Sequence, residues 1–264
     1  METTELEIAN GRIRVLGTRL KGATLDAFGP FLCSGSSDAS LFIQDLEITE
    51  NETTFHRWKR AGCDFAYRRH DLEFMVDAGR CYGWHTGESS GVLALVELAL
   101  WWAVERAGGF MLHASAGVRD GQAWIMPGPS GTGKSTAARG GFERVLSDER
   151  VIIMPGETSN TYVAWGTPFW SDGRDRPMDK GSAPVHFVAK LHHGDMSALC
   201  PLSVGELTPW VLRSTISYSH EAAHLTRNFE AVCAFTEAVA GMRLTYPKEG
   251  LWVSSTPLPT GLAS

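Results

Sequence analysis

One eight-residue stretch constrains this chain more than any other part of its sequence. Residues 128–135 read Gly-Pro-Ser-Gly-Thr-Gly-Lys-Ser and fit the P-loop pattern G-x-x-x-x-G-K-[ST]. Glycines in such a loop let backbone N–H groups turn toward phosphate oxygens, and the lysine reaches the terminal phosphates. The apolar run 122–127 predicts a buried strand before the loop, and 135–139 predicts a helix whose N-terminus faces the anion. The residues predicted to contact a nucleotide are Gly128, Pro129, Ser130, Gly131, Thr132, Gly133, Lys134, Ser135 and Thr136.

The charge and the apolar stretches of the chain exclude two classes of partner. The 264 residues include 24 basic and 30 acidic side chains, which gives a formal net charge of -6. This balance argues against nucleic acid or an anionic membrane surface. The longest apolar stretch, residues 91–104, is too short to span a bilayer and contains Glu97. We therefore expect no nucleic-acid partner and no membrane partner.

Cysteine usage and the first residues bear on the compartment. The five cysteines are scattered, odd in number and without C-x-x-C spacing, which is typical of free thiols in a reducing compartment. The acidic first five residues lack the basic and then apolar order of a signal peptide. We therefore expect a cytoplasmic protein.

The pattern of apolar residues divides the chain near residue 90. Residues 1–90 contain mainly short alternating runs, and two of them, 65–69 and 72–76, predict a hairpin. Residues 91–106 have helical spacing, after which predicted strands and helices alternate to the end. The sequence thus predicts an α/β domain over 91–264, preceded by a small β-rich region over 1–90. That region could recruit a peptide by strand addition or cover one face of the larger sheet.

Local signals place several elements of the second half. Asp120-Gly121 predicts a hairpin turn into the strand before the P-loop. Ser203 and Glu206 form a predicted capping box for a helix that runs to about Ile216, and a second helix is predicted over 221–240. These two helices could support a homo-oligomer. The pair at 192–193, two histidines followed by Gly-Asp, indicates a solvated turn.

Two further features point to chemistry beside the P-loop. Asp148 and Glu149 end a predicted strand, and ligands collect at strand ends in open α/β sheets. One carboxylate could orient Mg²⁺ while another accepts a proton from an attacking oxygen, although a solvated acidic turn is the alternative. His113 interrupts an apolar strand upstream of the loop and is either an active-site residue or a core histidine.

Four segments together resemble a known family. Residues 112–116, the turn at 120–121, the P-loop and Leu-Ser-Asp-Glu at 146–149 resemble the catalytic domain of HPr kinase/phosphorylase. They are more similar to the shorter HPr-kinase-related serine kinases, such as lasso peptide precursor kinases. Over about residues 90–250 the resemblance implies a P-loop kinase fold of the HPr kinase and phosphoenolpyruvate carboxykinase type. It also implies ATP- and Mg²⁺-dependent transfer of the γ-phosphoryl group to a serine hydroxyl of a peptide or protein.

The resemblance assigns roles by position. It implies that His113 and Lys134 act in the active site and that Asp148 is the catalytic base. Ser135, Asp148 and Glu149 are the implied metal ligands. Arg174 and Arg176 could meet a phosphate or carboxylate, or could be solvated. The Glu-Ile-Arg-Gly signature of true HPr kinases is absent from the sequence.

Two other functions remain open from the sequence. A small-molecule kinase or a phosphoenolpyruvate carboxykinase-like enzyme would use the same loop, although full carboxykinases are much longer. A non-catalytic regulatory module would bind nucleotide without turnover, and it would not need both His113 and Asp148.

Overall fold

The computed structural model of this chain divides into two compact units, Met1–Ala103 and Val104–Ser264. Arg174 and Arg176 lie outside the described residues, as does Cys33. The thiols of Cys63, Cys81, Cys200 and Cys233 are free. The structure describes residues 3–8, 11–16, 39–45, 63–69, 71–85, 89–139, 142–169 and 179–247.

The N-terminal unit contains a six-stranded mixed sheet with the strand order β1-β2-β3-β6-β5-β4. The β2–β3 and β3–β6 pairs are parallel, and the other pairs are antiparallel. The hairpin predicted over 65–76 is confirmed as β4 and β5, whereas β6 was not predicted. The strands are β1 (Thr3–Ile8), β2 (Gly11–Leu16), β3 (Ala39–Asp45), β4 (Phe65–Arg69), β5 (Leu72–Asp77) and β6 (Arg80–His85).

The first helix, α1 (Ser89–Arg106), confirms the predicted helical spacing. Its N-terminal part packs within the first unit, where the Trp101 and Phe65 rings lie 5.0 Å apart. Leu95 lies so close to Gly83 that a Cβ at Gly83 would come within 2.8 Å of its side chain. The domain boundary drawn from the sequence, after residue 90, stays a prediction.

The C-terminal unit contains a nine-stranded mixed sheet. Its main path is β11-β10-β7-β8-β12-β15-β13, and β9 and β14 also pair with β7. The strands β8, β12 and β15 run parallel, so their carboxyl ends meet at one edge. The elements are β7 (Phe110–Arg119), β8 (Gln122–Pro127), α2 (Lys134–Arg139), β9 (Arg144–Ser147), β10 (Arg150–Pro155), β11 (Tyr162–Trp165), β12 (Ser182–His193), β13 (Ala198–Leu202), α3 (Val204–Ser214), β14 (Thr215–Ile216), α4 (Ala222–Ala238) and β15 (Ala240–Tyr246).

Successive side chains of β8 pack in two different core clusters, so this sheet is buried on both faces. Ala123 and Ile125 pack in a core cluster that also contains side chains of α3 and α4. Trp124 and Met126 pack in a second cluster with Ala137 of α2. Because successive side chains of a strand point to opposite faces, α2 covers one face and α3 with α4 covers the other. The mixed α/β class predicted from the sequence is confirmed.

Two sequence predictions in this unit, a hairpin turn and a helix cap, are confirmed because their residues have strong local conformational preferences. Arg119 lies opposite Gln122, and both residues of the intervening Asp120-Gly121 turn have positive φ, 53° and 73°. Positive φ at both positions is the requirement of a type I′ turn, which suits a hairpin. The capping box is also present, with Glu206 accepting the Ser203 N–H at 3.2 Å.

The helix predicted to reach about Ile216 is confirmed but ends two residues earlier, at Ser214, because Thr215 and Ile216 pair with β7 as a short strand. One sequence prediction in this unit was wrong. The two histidines at 192–193 do not form a turn; they are exposed and end β12, where His193 lies opposite Tyr246. Within the described part of the chain, no helix is long and apolar enough to cross a membrane.

Candidate functional site

The backbone of the P-loop adopts a conformation that requires glycine at two positions. Gly131 and Gly133 have φ values of 82° and 87°, in the left-handed region that side chains disfavour. A Cβ at Gly133 would also lie 2.1 Å from the hydroxyl of Tyr246. Gly133 is therefore required both by its backbone angle and by its neighbour. The motif forms a turning loop between β8 and α2, as the sequence predicts.

Three side chains from distant parts of the chain hold this loop in place. The Trp210 indole on α3 donates to the carbonyl of Pro127 at 3.0 Å. The Tyr246 hydroxyl on β15 donates to the carbonyl of Thr132 at 3.4 Å, and Ser115 Oγ on β7 donates to the carbonyl of Lys134 at 3.2 Å. None of these supports carries a sequence motif, so sequence reasoning missed them.

Lys134 is held inside the loop. Its side chain is buried, with 6% exposure, and Nζ donates to the carbonyl of Pro129 at 2.9 Å. Burial lowers the pKa of Lys134, the charge of Arg150 lowers it further, and the carboxylates of Glu149 and Asp148 raise it. A phosphate oxygen is a stronger partner for this ammonium than a neutral carbonyl, because donor and acceptor then carry opposite charges.

The acidic pair lies at the carboxyl end of β9, where the sequence predicts it. Asp148 is buried, with 3% exposure, whereas about a quarter of the Glu149 side chain is exposed. The Glu149 carboxylate forms an ion pair with the guanidinium of Arg150 and lies 3.6 Å from His113 Nε2. The two acids are therefore not equivalent: Glu149 is engaged by two neighbours, and Asp148 is the more deeply buried carboxylate.

His113 joins this cluster through strand pairing. It lies directly opposite Arg150 in the antiparallel β7–β10 ladder. Burial lowers the pKa of His113, and the positive charges of Lys134 and Arg150 lower it further, against the opposing effect of Glu149. The neutral imidazole is therefore favoured, and a neutral imidazole can accept a hydrogen bond or a proton. Arg150 itself was missed by sequence reasoning, although it directly follows the acidic pair.

The sequence-predicted residues thus fall into three groups. His113, Lys134, Asp148 and Glu149 form one cluster of mutually influencing charges, joined by Arg150. Ser135 and Thr136 follow Lys134 in the first turn of α2, while Pro129 and Ser130 are exposed at the tip of the loop. Arg174 and Arg176 lie outside the described residues, so their predicted roles stay predictions.

The oxygen-bearing side chains beside the P-loop are of the types that bind a magnesium ion through few protein ligands. Among the residues that the structure describes, no group of three or more His, Cys, Asp or Glu side chains is placed to hold a metal. Mg²⁺ usually takes one or two carboxylates and completes its shell with substrate phosphates and water. The carboxylate of Asp148 and the hydroxyl of Ser135 are donors of the types that this requirement names. The carboxylate of Glu149 is paired with Arg150, so a metal ion would compete with that guanidinium for it.

Comparison with known proteins gives one family. Residues 92–246 match the family model of SynChlorMet cassette protein ScmC, and this match covers more than half of the chain. It includes the whole cluster and the loop supports Trp210 and Tyr246. None of the curated proteins compared matches the chain.

Proposed function

We propose that this chain, which belongs to the SynChlorMet cassette protein ScmC family, is an ATP-dependent phosphotransferase that phosphorylates a serine hydroxyl. The acceptor serine belongs to a peptide or protein in this proposal, and the C-terminal unit is a P-loop kinase domain of the HPr kinase type. The observation that carries the proposal is the cluster itself. A buried loop lysine shares its electrostatic surroundings with a buried aspartate, a glutamate and a histidine.

The strands explain why these groups meet. Strand β7 pairs with β8, which leads into the P-loop, and with β9, which ends at the acidic pair. The same strand bears His113 and Ser115, and Ser115 is hydrogen-bonded to the backbone of Lys134. One central strand therefore fixes the phosphate-binding loop, the acids and the histidine relative to each other. Preorganised charge of this kind is what phosphoryl transfer requires.

The chemistry assigns a task to each residue. The turned backbone of the loop and Lys134 bind and orient the β- and γ-phosphates of ATP. Asp148 accepts the proton of the acceptor hydroxyl while the new O–P bond forms and the bond between the γ-phosphorus and the β–γ bridging oxygen breaks. The products are the phosphorylated acceptor and ADP. Ser135 and Asp148 would hold Mg²⁺, which would neutralise part of the phosphate charge when bound.

The resemblance to HPr-kinase-related serine kinases favours a serine acceptor. The test also detects transfer to small molecules. Purified protein is incubated with γ-labelled ATP and Mg²⁺ in a size-fractionated host lysate, and wild type is compared with Asp148→Asn. Asp77→Asn in the N-terminal unit is the matched control. Label in a peptide or protein fraction that requires Asp148 and survives Asp77→Asn supports the proposal.

The remaining outcomes separate the alternatives. Label only in small molecules assigns a metabolite kinase instead. No label despite ATP binding favours a carboxykinase-like enzyme or a regulatory module. Full transfer by Asp148→Asn contradicts the assignment of the base.

A further inference from the structure

Two buried hydroxyls outside the predicted catalytic set contact the backbone of the acidic turn. Ser147, the last residue of β9, is fully buried, and its Oγ donates to the carbonyl of Phe169 at 3.1 Å. The same oxygen accepts the N–H groups of Glu149 and Arg150 at 3.2 and 3.1 Å. Ser147 therefore satisfies both backbone donors that follow Asp148. A serine that bonds the backbone two and three residues ahead fixes a local turn.

Thr167 completes this arrangement from the segment that follows β11. It is also fully buried, and its Oγ1 donates to the carbonyl of Arg150 at 2.5 Å. The two hydroxyl oxygens lie 3.3 Å apart. Each hydroxyl has one proton, so Ser147 donates to Phe169 and Thr167 donates to Arg150. The acidic turn is thus held at three backbone groups by two buried hydroxyls.

We propose that Ser147 and Thr167 are positioning residues that set where Asp148 and Glu149 lie relative to Lys134. This inference rests on the proposed phosphoryl transfer. Neither hydroxyl acts on substrate; both act through the backbone of the acidic turn. Their effect adds to that of β7, because Ala114 N–H donates to the carbonyl of Glu149 at 3.3 Å and Ala116 lies opposite Ser147.

Phosphoryl transfer depends on the alignment of the attacking oxygen, the phosphorus and the base. A displacement of about 1 Å in a reacting group can cost about 100-fold in rate, because the reacting atoms must be aligned. Loss of the Thr167 hydroxyl leaves the carbonyl of Arg150 without this buried donor, so the turn relaxes. If Thr167 had only a structural role, Thr167→Val would lower the stability of the protein without lowering kcat for phosphoryl transfer.

The chain offers a matched control for this distinction. Thr236 on α4 is 1% exposed, and its hydroxyl bonds Thr208 at 2.7 Å and the carbonyl of Cys233 at 3.2 Å. The variants Thr167→Val and Thr236→Val remove the same hydroxyl from equally buried positions. Thr167→Ser retains the hydroxyl and serves as the conservative rescue.

The experiment uses the full chain and these variants, with the lysate fraction that wild type labels as the acceptor. It measures kcat for γ-phosphoryl transfer to that fraction, KM for ATP and the urea midpoint of unfolding. It also measures the ratio of ATP dissociation constants without and with Mg²⁺. We expect Thr167→Val to lower kcat about 30-fold with KM for ATP within about twofold, and to reduce the Mg²⁺-dependent gain in affinity. Thr236→Val should lose similar stability and keep kcat, and Thr167→Ser should restore kcat to within about threefold. Ser147→Ala should act like Thr167→Val.

Equal kcat and equal affinity ratios for Thr167→Val and Thr236→Val would overturn the inference. A wild-type chain that binds Mg·ATP but transfers no phosphate contradicts the proposed function alone, and the affinity ratio then decides the positioning role. A wild-type chain that binds no ATP contradicts both.

Discussion

Tyr246 and Gly133 are separated by more than a hundred residues, yet the Tyr246 hydroxyl occupies the space that a side chain at Gly133 would need. A Cβ there would lie 2.1 Å from this oxygen, and the same hydroxyl donates to the carbonyl of Thr132. Strand β15 therefore shapes the P-loop directly. The conformation of the P-loop depends on the completed sheet as well as on its own sequence motif.

Gly133→Ala is expected to destabilise the protein by about 2–4 kcal/mol, because a left-handed residue gains a Cβ and that Cβ clashes. Tyr246→Phe alone should cost about 1 kcal/mol, since it loses one hydrogen bond. The double variant should be more stable than the sum of the two losses implies, because removal of the oxygen relieves the clash. Urea unfolding of the four proteins measures this coupling; simple additivity would contradict the contact.

Lys134→Ala should weaken ATP binding about 10- to 100-fold, because the phosphates lose a charge-assisted hydrogen bond. Without nucleotide, the variant should be nearly as stable as wild type, since a partly desolvated ammonium is removed. Isothermal titration with Mg·ATP and thermal unfolding check the two effects. The exposed Lys180→Ala is the control and should bind ATP normally. An unchanged ATP affinity in Lys134→Ala would show that the P-loop lysine does not bind the nucleotide.

Trp210→Phe tests whether α3 supports the P-loop. The substitution removes the indole donor to Pro127 and leaves an aromatic ring at the position. We expect ATP to bind about 2- to 10-fold more weakly, which corresponds to one lost hydrogen bond of about 0.5–1.5 kcal/mol. Trp84→Phe in the N-terminal unit is the matched control. ATP affinities equal to wild type in both variants would show that the loop does not need this support.

Glu149→Gln should separate the roles of the two acids. Its carboxylate is engaged by Arg150 and lies beside His113, so the neutral amide weakens an orienting contact and leaves Asp148 in place. We expect kcat to fall about tenfold while the Mg²⁺ concentration for half-maximal activity stays unchanged. Titration of Mg²⁺ at saturating ATP gives that value. A large increase in the Mg²⁺ requirement would instead identify Glu149 as a metal ligand.

An ion pair in the C-terminal unit, between the buried Glu105 and the half-exposed Arg227, should affect stability alone. Glu105 accepts from Arg227 Nε at 2.9 Å and lies 2.5 Å from His224 Nδ1, with Glu105 and His224 both buried. Glu105→Ala removes the shared acceptor of both side chains and should cost about 1–3 kcal/mol. The exposed Glu230→Ala should cost less than about 0.5 kcal/mol. Urea unfolding tests both, and the transfer rate per folded molecule should be unchanged.

Sequence reasoning succeeded where the signal is local. The Asp120-Gly121 turn, the P-loop and the Ser203–Glu206 capping box each lie within eight residues, and their backbone requirements exclude most alternatives. It failed where pairing partners are distant. The histidines at 192–193 resemble a turn because Gly-Asp follows them, yet pairing with β15 extends the strand to His193.

The site was predicted in part for the same reason. Lys134, Asp148, Glu149 and His113 have motif positions, so the sequence could name them. Arg150 and Thr167 have none, and their contacts at the acidic turn arise from strand register and from a hydroxyl contact within the folded unit. Residues that support a site through long-range contacts are not distinguishable by spacing alone.

In the proposed function, the P-loop and Asp148 form one phosphoryl-transfer site. Two quantities measured on Asp148→Asn test this proposal: the dissociation constant for Mg·ATP and the rate of γ-phosphoryl transfer to the acceptor fraction. We predict an affinity within about tenfold of wild type, because the P-loop stays intact and the amide oxygen of asparagine can still contact Mg²⁺. The transfer rate should fall by at least about 1,000-fold, because the base is lost. Transfer at the wild-type rate with normal ATP binding would show that Asp148 is not the base of this site.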